Sequence, residues 1–315
     1  MTANCVSYNN IALQALHGAD IVVATGGGYL TDSDKGVSLP VLSRLKKAKD
    51  MGKFTVMVGQ GVGIMDDPEL RRQVERVLPT LDLILVREEN FSVPYLTSLG
   101  VPSDRIYMSG DDAIELGYYA KSETLGNCIG VGIRLATYTE VRDQDIELVR
   151  PVLHSIAANH KARLVGLPTT CSGPVSDQFK IAELLEGYPD KKNSRLRFDT
   201  ITELIRKVGR CRLVISGAFH SAVFALSQGI PVICIAKSRE YSIKFGGLAD
   251  QFGNGCQVLG LSDKDFQKKM TQASDWLWES AEMLRPNLIE AARYQIENGM
   301  KGYQHIQEAY RYHKI

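Results

Sequence analysis

Short apolar runs alternate along the chain with longer stretches in which apolar residues recur every three or four positions. In the first part, the short runs are DIVVAT (20–25), FTVMVG (54–59), LDLILV (81–86) and RIYMSG (105–110). Between them, LPVLSRLKKAKDMG and DDPELRRQVERVLPTL show helical spacing of their apolar residues. Strands that alternate with amphipathic helices are typical of a parallel sheet with helical crossovers. The pattern therefore predicts an α/β fold.

The same pattern restarts after a polar segment, AKSETLGN (120–127). The later strand-like runs are CIGVGIRL (128–135), ARLVGLPT (162–169), RLRFDT (195–200), CRLVIS (211–216) and PVICIA (231–236). IELVRPVLHSIAANH and SDQFKIAELLEGY read as helices between them, and a tyrosine-rich helical pattern follows Pro286. We therefore predict a Rossmann-like half over 1–122, a second over 123–280, and a C-terminal helical segment, 281–315, that packs back on the first half.

Composition and charge exclude several classes of protein. A chain of 315 residues, 44% hydrophobic and 23% charged, has the composition of a globular protein with room for two domains. A formal net charge of +1 gives no reason to expect nucleic acid or an anionic membrane as partner.

No apolar run is long enough to span a bilayer, and MTANCVSYNN does not resemble a signal peptide. Six scattered cysteines without a C-x-x-C pair favour buried free thiols over zinc or disulfides. We expect a cytoplasmic protein without a metal.

Three turns after predicted strands carry residues suited to ligand binding, because ligands of parallel sheets bind at the carboxyl ends of the strands. TGGGYLTD (25–32) contains Gly26, Gly27 and Gly28, whose backbone N–H groups suit an anion, and GQGVGI (59–64) is a second glycine-rich turn. Neither matches a dinucleotide fingerprint. A tight turn without a ligand is the alternative for both.

The third turn, SGAFHS (216–221), places His220 at the start of an apolar helix with Ser221 beside it. The positive end of the helix dipole favours a neutral, proton-accepting imidazole, whereas a nearby phosphate would favour the imidazolium. The alternative is a histidine that only hydrogen-bonds to the backbone.

Two arginines and a lysine also follow predicted strands. Arg87 follows LDLILV, Arg134 ends IGVGIR, and Lys244 lies in REYSIKFGG after the last predicted strand. A cation at such a position is costly to bury unless it meets an anion, so each is a candidate for a phosphate or carboxylate. Salt bridges to neighbouring acidic residues such as Glu88 are the alternative. Together with His220, these residues predict an anion site between the two halves.

An ordered set of landmarks resembles the polysaccharide pyruvyl transferase family. The landmarks are GGGYLTD, GQGVG, LILVREENFSVPYLTSLGV, the Asp111–Asp112 pair, VGIR, FHSAVFALSQGIPVICI, and Tyr241 with Lys244. The resemblance implies two facing Rossmann-like domains, as in GT-B glycosyltransferases. It also implies transfer of pyruvate from phosphoenolpyruvate to a sugar of a cell-surface glycan precursor, giving a cyclic ketal.

The resemblance further implies roles for single residues. His220 would act as general acid or contact the phosphate, and Arg87 and then Arg134 would bind the anionic groups. Lys244 would bind the phosphate as it leaves. Gly26, Gly27, Gly28 and Ser221 complete the expected substrate-binding set, and no metal or organic cofactor is implied.

Two departures from the family pattern lead us to expect weak or lost activity. The family usually has arginine two residues before the histidine, where this chain has Ala218. An earlier glycine-asparagine-aspartate segment and a first βα unit are not matched, so we expect the first half to be short at its N-terminus. The alternatives are a non-catalytic relative that binds an anion or a protein partner, and a sugar-nucleotide glycosyltransferase.

Overall fold

A computed structural model describes residues 14–170, 176–188 and 200–313. The chain forms two compact units: unit 1 comprises Met1–Asp111 with Glu297–Ile315, and unit 2 comprises Asp112–Ile296. The boundaries of these units differ from those expected of the domains, 122/123 and 280/281, and the domain division stays a prediction. Each unit contains one parallel β-sheet with helices packed on it. The predicted α/β fold with parallel sheets is thus confirmed.

The sheet of unit 1 is built around one long strand. Its strands are β1 (Ile21–Ala24), β2 (Gly27–Leu30), β3 (Phe54–Val62), β4 (Leu83–Val86) and β5 (Ile106–Met108). The order is β1-β3-β4-β5, and β2 pairs with β3 beyond the end of β1. Almost all residues of β3 are buried, including the polar Thr55 and Gln60, as is typical of a central strand in a parallel sheet covered on both faces.

The helices of unit 1 are α1 (Lys35–Asp50), α2 (Pro68–Val77) and α3 (Ser92–Ser98). Local sequence fixes the start of α2. The side chain of Asp67 accepts hydrogen bonds from the amides of Glu69 and Leu70, both at 3.0 Å, and proline occupies the first helical position. Both features are standard helix-start signals, since proline needs no amide partner there.

The sheet of unit 2 has strands β6 (Cys128–Gly132), β7 (Arg163–Gly166), β8 (Cys211–Ser216), β9 (Val232–Ala236) and β10 (Cys256–Gly260). The order is β10-β9-β8-β6-β7, with all neighbours parallel. β10 was not predicted from the sequence. Residues 195–199 of the predicted strand RLRFDT lie outside the described residues.

The helices of unit 2 are α4 (Ala113–Tyr119), α5 (Asp143–Asn159), α6 (Asp177–Leu185), α7 (Ile201–Val208), α8 (Phe219–Ser227) and α9 (Arg239–Phe252). A last helix, α10 (Phe266–His313), belongs to unit 2 as far as Ile296 and to unit 1 from Glu297 onward. Pro151 and Pro286 lie inside α5 and α10 and end neither helix. In the described part of the chain, no helix is both long and apolar enough to cross a membrane.

Candidate functional site

Three of the predicted site residues follow adjacent strands of unit 2. Arg134 comes two residues after β6, His220 lies in the first turn of α8 after β8, and Lys244 lies in α9 after β9. The strands β6, β8 and β9 are neighbours, and the amide of Gly217 donates to the carbonyl of Gly132 at 2.9 Å. The sequence alone placed these residues at strand ends, and the topology brings the strand ends together.

Arg134 is held in a defined orientation by three side chains. Its Nη1 donates to Thr170 Oγ1 at 2.7 Å and forms an ion pair with Asp177 Oδ1 at 3.0 Å, while its Nε donates to the hydroxyl of Tyr138 at 3.0 Å. Burial acts to lower the pKa of Arg134, but the bonds to Tyr138 and Asp177 outweigh it and raise the pKa. The guanidinium therefore stays charged.

Asp177, which the sequence reasoning missed, is the first residue of α6 and its side chain is fully buried. Its Oδ2 accepts hydrogen bonds from Thr169 N at 3.0 Å, Thr169 Oγ1 at 2.8 Å and Thr170 N at 3.0 Å. The carboxylate is thus fixed by groups other than Arg134. The sequence signal was the pair Ser176–Asp177, because Ser176 caps α6 and acidic residues are favoured in the first turn of a helix.

Lys244 lies beside an aromatic pair that also contacts Arg134. The rings of Tyr138 and Tyr241 stack with centroids 6.0 Å apart and an interplanar angle of 18°. Lys244 Nζ is 5.4 Å from the ring centroid of Tyr241 and 6.0 Å from that of Tyr138. It also pairs with Glu240 at 2.5 Å. The structure therefore brings Arg134 and Lys244 to one place, around Tyr138.

The histidine turn exposes only one of its polar side chains. His220 is exposed, with its ring edge-on to that of Phe219 at 5.6 Å. Ser221, predicted to bind substrate, is fully buried and donates from Oγ to the carbonyl of Leu167 at 3.0 Å. Its hydroxyl therefore fastens the start of α8 and does not face the surface.

Ala218 occupies the N-cap position of the same helix, where its methyl group makes no capping bond, and it is only 1% exposed. Its amide donates to Ser216 Oγ at 2.9 Å. Neighbouring atoms cover the methyl group, so an arginine here would reach solvent only if those atoms moved.

The first glycine-rich segment, in unit 1, is held by side-chain hydrogen bonds to its backbone. The carbonyl of Thr25 accepts hydrogen bonds from Gln60 Nε2 at 2.9 Å and from the hydroxyl of Tyr29 at 3.2 Å. GQGVGI was expected to be a turn, but its first four residues continue β3. A Cβ added to Gly61 would lie 3.4 Å from Gly28 Cα, so the two glycine-rich segments pack against each other. Gly26 is exposed, whereas Gly27 and Gly28 are half-buried.

Arg87 lies beside these glycine-rich segments in unit 1. Its Nη1 is 2.9 Å from Asp111 Oδ2, and its Nε donates to the carbonyl of Gly59 at 2.8 Å. The carboxylate partner of Arg87 is thus Asp111. Glu88 instead accepts hydrogen bonds from the amides of Phe91 and Ser92 at the start of α3, both at 2.9 Å. Over the described ranges, no group of three or more His, Cys, Asp or Glu side chains is placed to hold a metal.

The fold resembles that of solved GT-B glycosyltransferases and epimerases. A Listeria monocytogenes protein described as a candidate UDP-N-acetylglucosamine 2-epimerase matches at TM-score 0.62 and 13% identity, over 92% of this chain and 76% of that one. A UDP-GlcNAc 2-epimerase from Neisseria meningitidis bound to UDP-GlcNAc matches at TM-score 0.59 and 14% identity, over 93% and 81%. The glycosyltransferase of kitacinnamycin matches at TM-score 0.56 and 12% identity, over 96% and 82%. The predicted resemblance to GT-B proteins is confirmed.

The family is shown by the sequence itself. The pattern that defines the polysaccharide pyruvyl transferase family matches residues 3–239, so the chain belongs to this family. The matched range includes Arg87, Arg134 and His220, while Lys244 lies just beyond it. No curated protein is significantly similar to the chain in sequence.

Proposed function

We propose that the protein transfers pyruvate from phosphoenolpyruvate to two hydroxyl groups of a sugar in a polysaccharide precursor, forming a cyclic ketal. One observation carries the proposal: in a chain of this family, Arg134, His220 and Lys244 lie in the segments that follow three adjacent strands of one sheet. Phosphoenolpyruvate has a phosphate and a carboxylate, and an oriented guanidinium and an ammonium suit both groups.

Among the proposed donor-binding residues, Arg134 is the most preorganised. Asp177, Tyr138 and Thr170 fix the orientation of its guanidinium without a ligand. Lys244 adds a point charge near Tyr138, the tyrosine that Arg134 also contacts. In unit 1, Arg87 and the turn of Gly26, Gly27 and Gly28 remain proposed contacts for an anionic group.

His220 is the proposed general acid, since it is exposed in the first turn of α8. Its proton passes to the methylene carbon of phosphoenolpyruvate, which becomes a methyl group and leaves an oxocarbenium-like carbon. One sugar hydroxyl adds to that carbon and loses its proton, the carbon–oxygen bond to phosphate breaks, and a second hydroxyl adds with loss of its proton. The products are the ketal and inorganic phosphate.

The test compares His220→Ala with the wild type in two assays: affinity for phosphoenolpyruvate by calorimetry, and phosphate release with a panel of sugar acceptors. We expect turnover to fall by about a hundredfold or more, because a general acid contributes about 10²–10⁴ in rate. His305→Ala, at another exposed histidine, should leave turnover unchanged. A wild-type protein that does not bind phosphoenolpyruvate would refute the proposal.

A second candidate function is anion binding without turnover. It is favoured by the buried methyl group of Ala218 and by the carboxylates paired with Arg87, Arg134 and Lys244. Phosphoenolpyruvate would then raise the melting temperature, while no acceptor would give product. At a phosphoenolpyruvate concentration a hundred times the dissociation constant, the folded state would be stabilised by about 2.7 kcal/mol. The remaining alternative, a sugar-nucleotide glycosyltransferase, predicts stabilisation by a UDP-sugar and none by phosphoenolpyruvate.

A further inference from the structure

The side chain of Gln60 fastens the link between β1 and β2 to the long strand β3. It is fully buried, and its Nε2 donates to the carbonyls of Thr25 at 2.9 Å and Val58 at 3.0 Å, with a longer bond of 3.4 Å to Ala24. Because β1 ends at Ala24 and β2 begins at Gly27, the bond to Thr25 fixes the backbone directly before the glycines.

The backbone of Gln60 also holds Arg87. Its carbonyl accepts from the amide of Arg87 at 3.0 Å, and the carbonyl of the preceding residue, Gly59, accepts from Arg87 Nε at 2.8 Å. In the register of the sheet, Gln60 lies opposite Gly27 of β2 on one side and opposite Val86, the residue before Arg87, on the other. One residue of β3 therefore bonds both to the glycine-rich segment and to Arg87.

The neighbouring Gly61 shows how close the two proposed anion contacts of unit 1 lie. A Cβ added to it would be 3.4 Å from Gly28 Cα, 3.6 Å from the carbonyl oxygen of Gly27 and 3.7 Å from Arg87 Cδ. The backbone of the glycine-rich segment and the side chain of Arg87 thus border one space of the size of a methyl group. The two contacts belong to a single candidate subsite.

We propose that Gln60 is a positioning residue that sets the geometry between the segment Gly26–Gly28 and Arg87, so that both bind the same anionic group of phosphoenolpyruvate. This inference rests on the proposed function. Because Gln60 is fully buried, it acts through the carbonyl of Thr25 on one side and the backbone of Arg87 on the other. Donors that are fixed in advance bind an anion more tightly, since binding does not have to order them.

The test is Gln60→Met, which keeps the length of the side chain and removes the amide donor. Without the bond to Thr25, the glycine-rich segment can shift relative to Arg87. Calorimetry should show phosphoenolpyruvate bound about tenfold more weakly, the lower end of the range for one hydrogen bond to a charged group. The melting temperature should fall as well, because the carbonyls of Thr25 and Val58 lose a donor.

Gln228→Met is the matched control, because Gln228 is an equally buried glutamine in unit 2. Its Nε2 donates to the carbonyls of Ile205 at 3.0 Å and Phe224 at 3.1 Å. In both glutamines, Oε1 is buried and accepts no hydrogen bond within the described residues. We expect Gln228→Met to lower the melting temperature to a similar extent and to leave phosphoenolpyruvate affinity unchanged. Equal losses of affinity in the two variants would overturn the inference.

Arg87→Lys separates positioning from a general loss of stability. It keeps a positive charge beside Asp111 and loses the planar fork, so it should itself weaken phosphoenolpyruvate binding. If Gln60 acts through Arg87, adding Gln60→Met to this variant should weaken binding by less than it does in the wild type, because coupled residues are not additive. A fully additive loss would show that Gln60 acts independently of Arg87 and would also overturn the inference.

Tyr29→Phe covers the case in which Gln60→Met does not fold. The hydroxyl of Tyr29 donates the second side-chain bond to the Thr25 carbonyl, at 3.2 Å, and the variant keeps the ring and the Gln60 amide. It should weaken phosphoenolpyruvate binding, though less than Gln60→Met. Unchanged affinity in Tyr29→Phe, beside an unfolded Gln60→Met, would show that Gln60 serves folding alone.

The outcomes for the inference and for the proposed function are distinct. If the wild type binds phosphoenolpyruvate and Gln60→Met binds it equally well, the inference is overturned and the proposed function stands. If the wild type binds no phosphoenolpyruvate, both are overturned.

Discussion

Each cation that the sequence singled out for anion binding pairs with a carboxylate in its own unit. The pairs are Arg87–Asp111, Arg134–Asp177 and Lys244–Glu240. The carboxylates offset the local charge and hold the cations in place. An anion would therefore be recognised mainly through the geometry of the donors, and less through a strong positive field. The sequence could not show this, because Arg134 and Asp177 are 43 residues apart.

Asp177→Asn tests the positioning of Arg134. Removing one partner of a buried ion pair leaves the other charge uncompensated, at a cost of about 3–5 kcal/mol. We expect the free energy of unfolding in urea to fall by about 3 kcal/mol, because asparagine can retain some of the hydrogen bonds from Thr169 and Thr170. Phosphoenolpyruvate affinity should fall as well.

The control for this variant is Asp143→Asn. Asp143 forms an ion pair with Lys180, but its side chain is 80% exposed. An exposed pair contributes about 0–1 kcal/mol, so this variant should change stability little. An equal fall in the free energy of unfolding in the two variants would show that Asp177 has no special role in holding Arg134.

At the scale of elements, the sequence predicted the strands that consist of uninterrupted apolar runs, including β1 and β5, which are only half-buried. It interpreted TGGGYLTD only as a turn, although Gly27–Leu30 forms a strand paired with β3. Glycine has low strand propensity, so here the hydrogen bonds to β3 decide the conformation. β10 was missed for a related reason: its short run, CQVLG, is mostly half-buried and lies between glycines. The strand-end positions of the candidate site were predictable, whereas the partners supplied by remote loops and helix starts were not.

Two glycines should respond to alanine in opposite ways. Gly229, between α8 and β9, has φ = +75°, and an added Cβ would lie 2.8 Å from Ile289 Cγ1. We expect Gly229→Ala to cost about 2 kcal/mol or more, because a left-handed conformation alone costs about 1–2 kcal/mol for other residues. Gly246 lies inside α9 with nothing within 4 Å of an added Cβ.

Gly246→Ala should therefore stabilise the protein by about 0.5–1 kcal/mol, since alanine favours a helix over glycine. Urea denaturation of both variants beside the wild type measures the two effects. The opposite order of stabilities would mean that the backbone around Gly229 differs from the one described.

At the scale of the whole molecule, each unit has its own hydrophobic core. The largest cluster of buried apolar residues lies entirely in unit 2, and two smaller clusters lie entirely in unit 1. α10 serves both units, since Leu277 and Leu288 belong to the core of unit 2 and Ile306 to a core of unit 1. That segment 281–315 as a whole packs back on the first half stays a prediction. Within unit 1, the end of α10 packs on the sheet, where Ile306, Ala309 and Tyr310 share a cluster with residues of β3 and β4.

Ile306→Ala tests whether the end of α10 stabilises unit 1 in particular. Ile306 is 9% exposed and packs in one cluster with Phe54 and Leu85, so its truncation leaves a cavity against the sheet. Such changes cost about 2–5 kcal/mol, and the residual exposure favours the lower end. Amide hydrogen exchange should speed up in peptides that cover β3 and β4 and stay unchanged in β6 and β8, because the cores are separate. Glu308→Ala, at an exposed position on the same turn, should leave exchange unchanged everywhere. Equal acceleration in both sheets after Ile306→Ala would show that the two cores unfold as one cooperative unit.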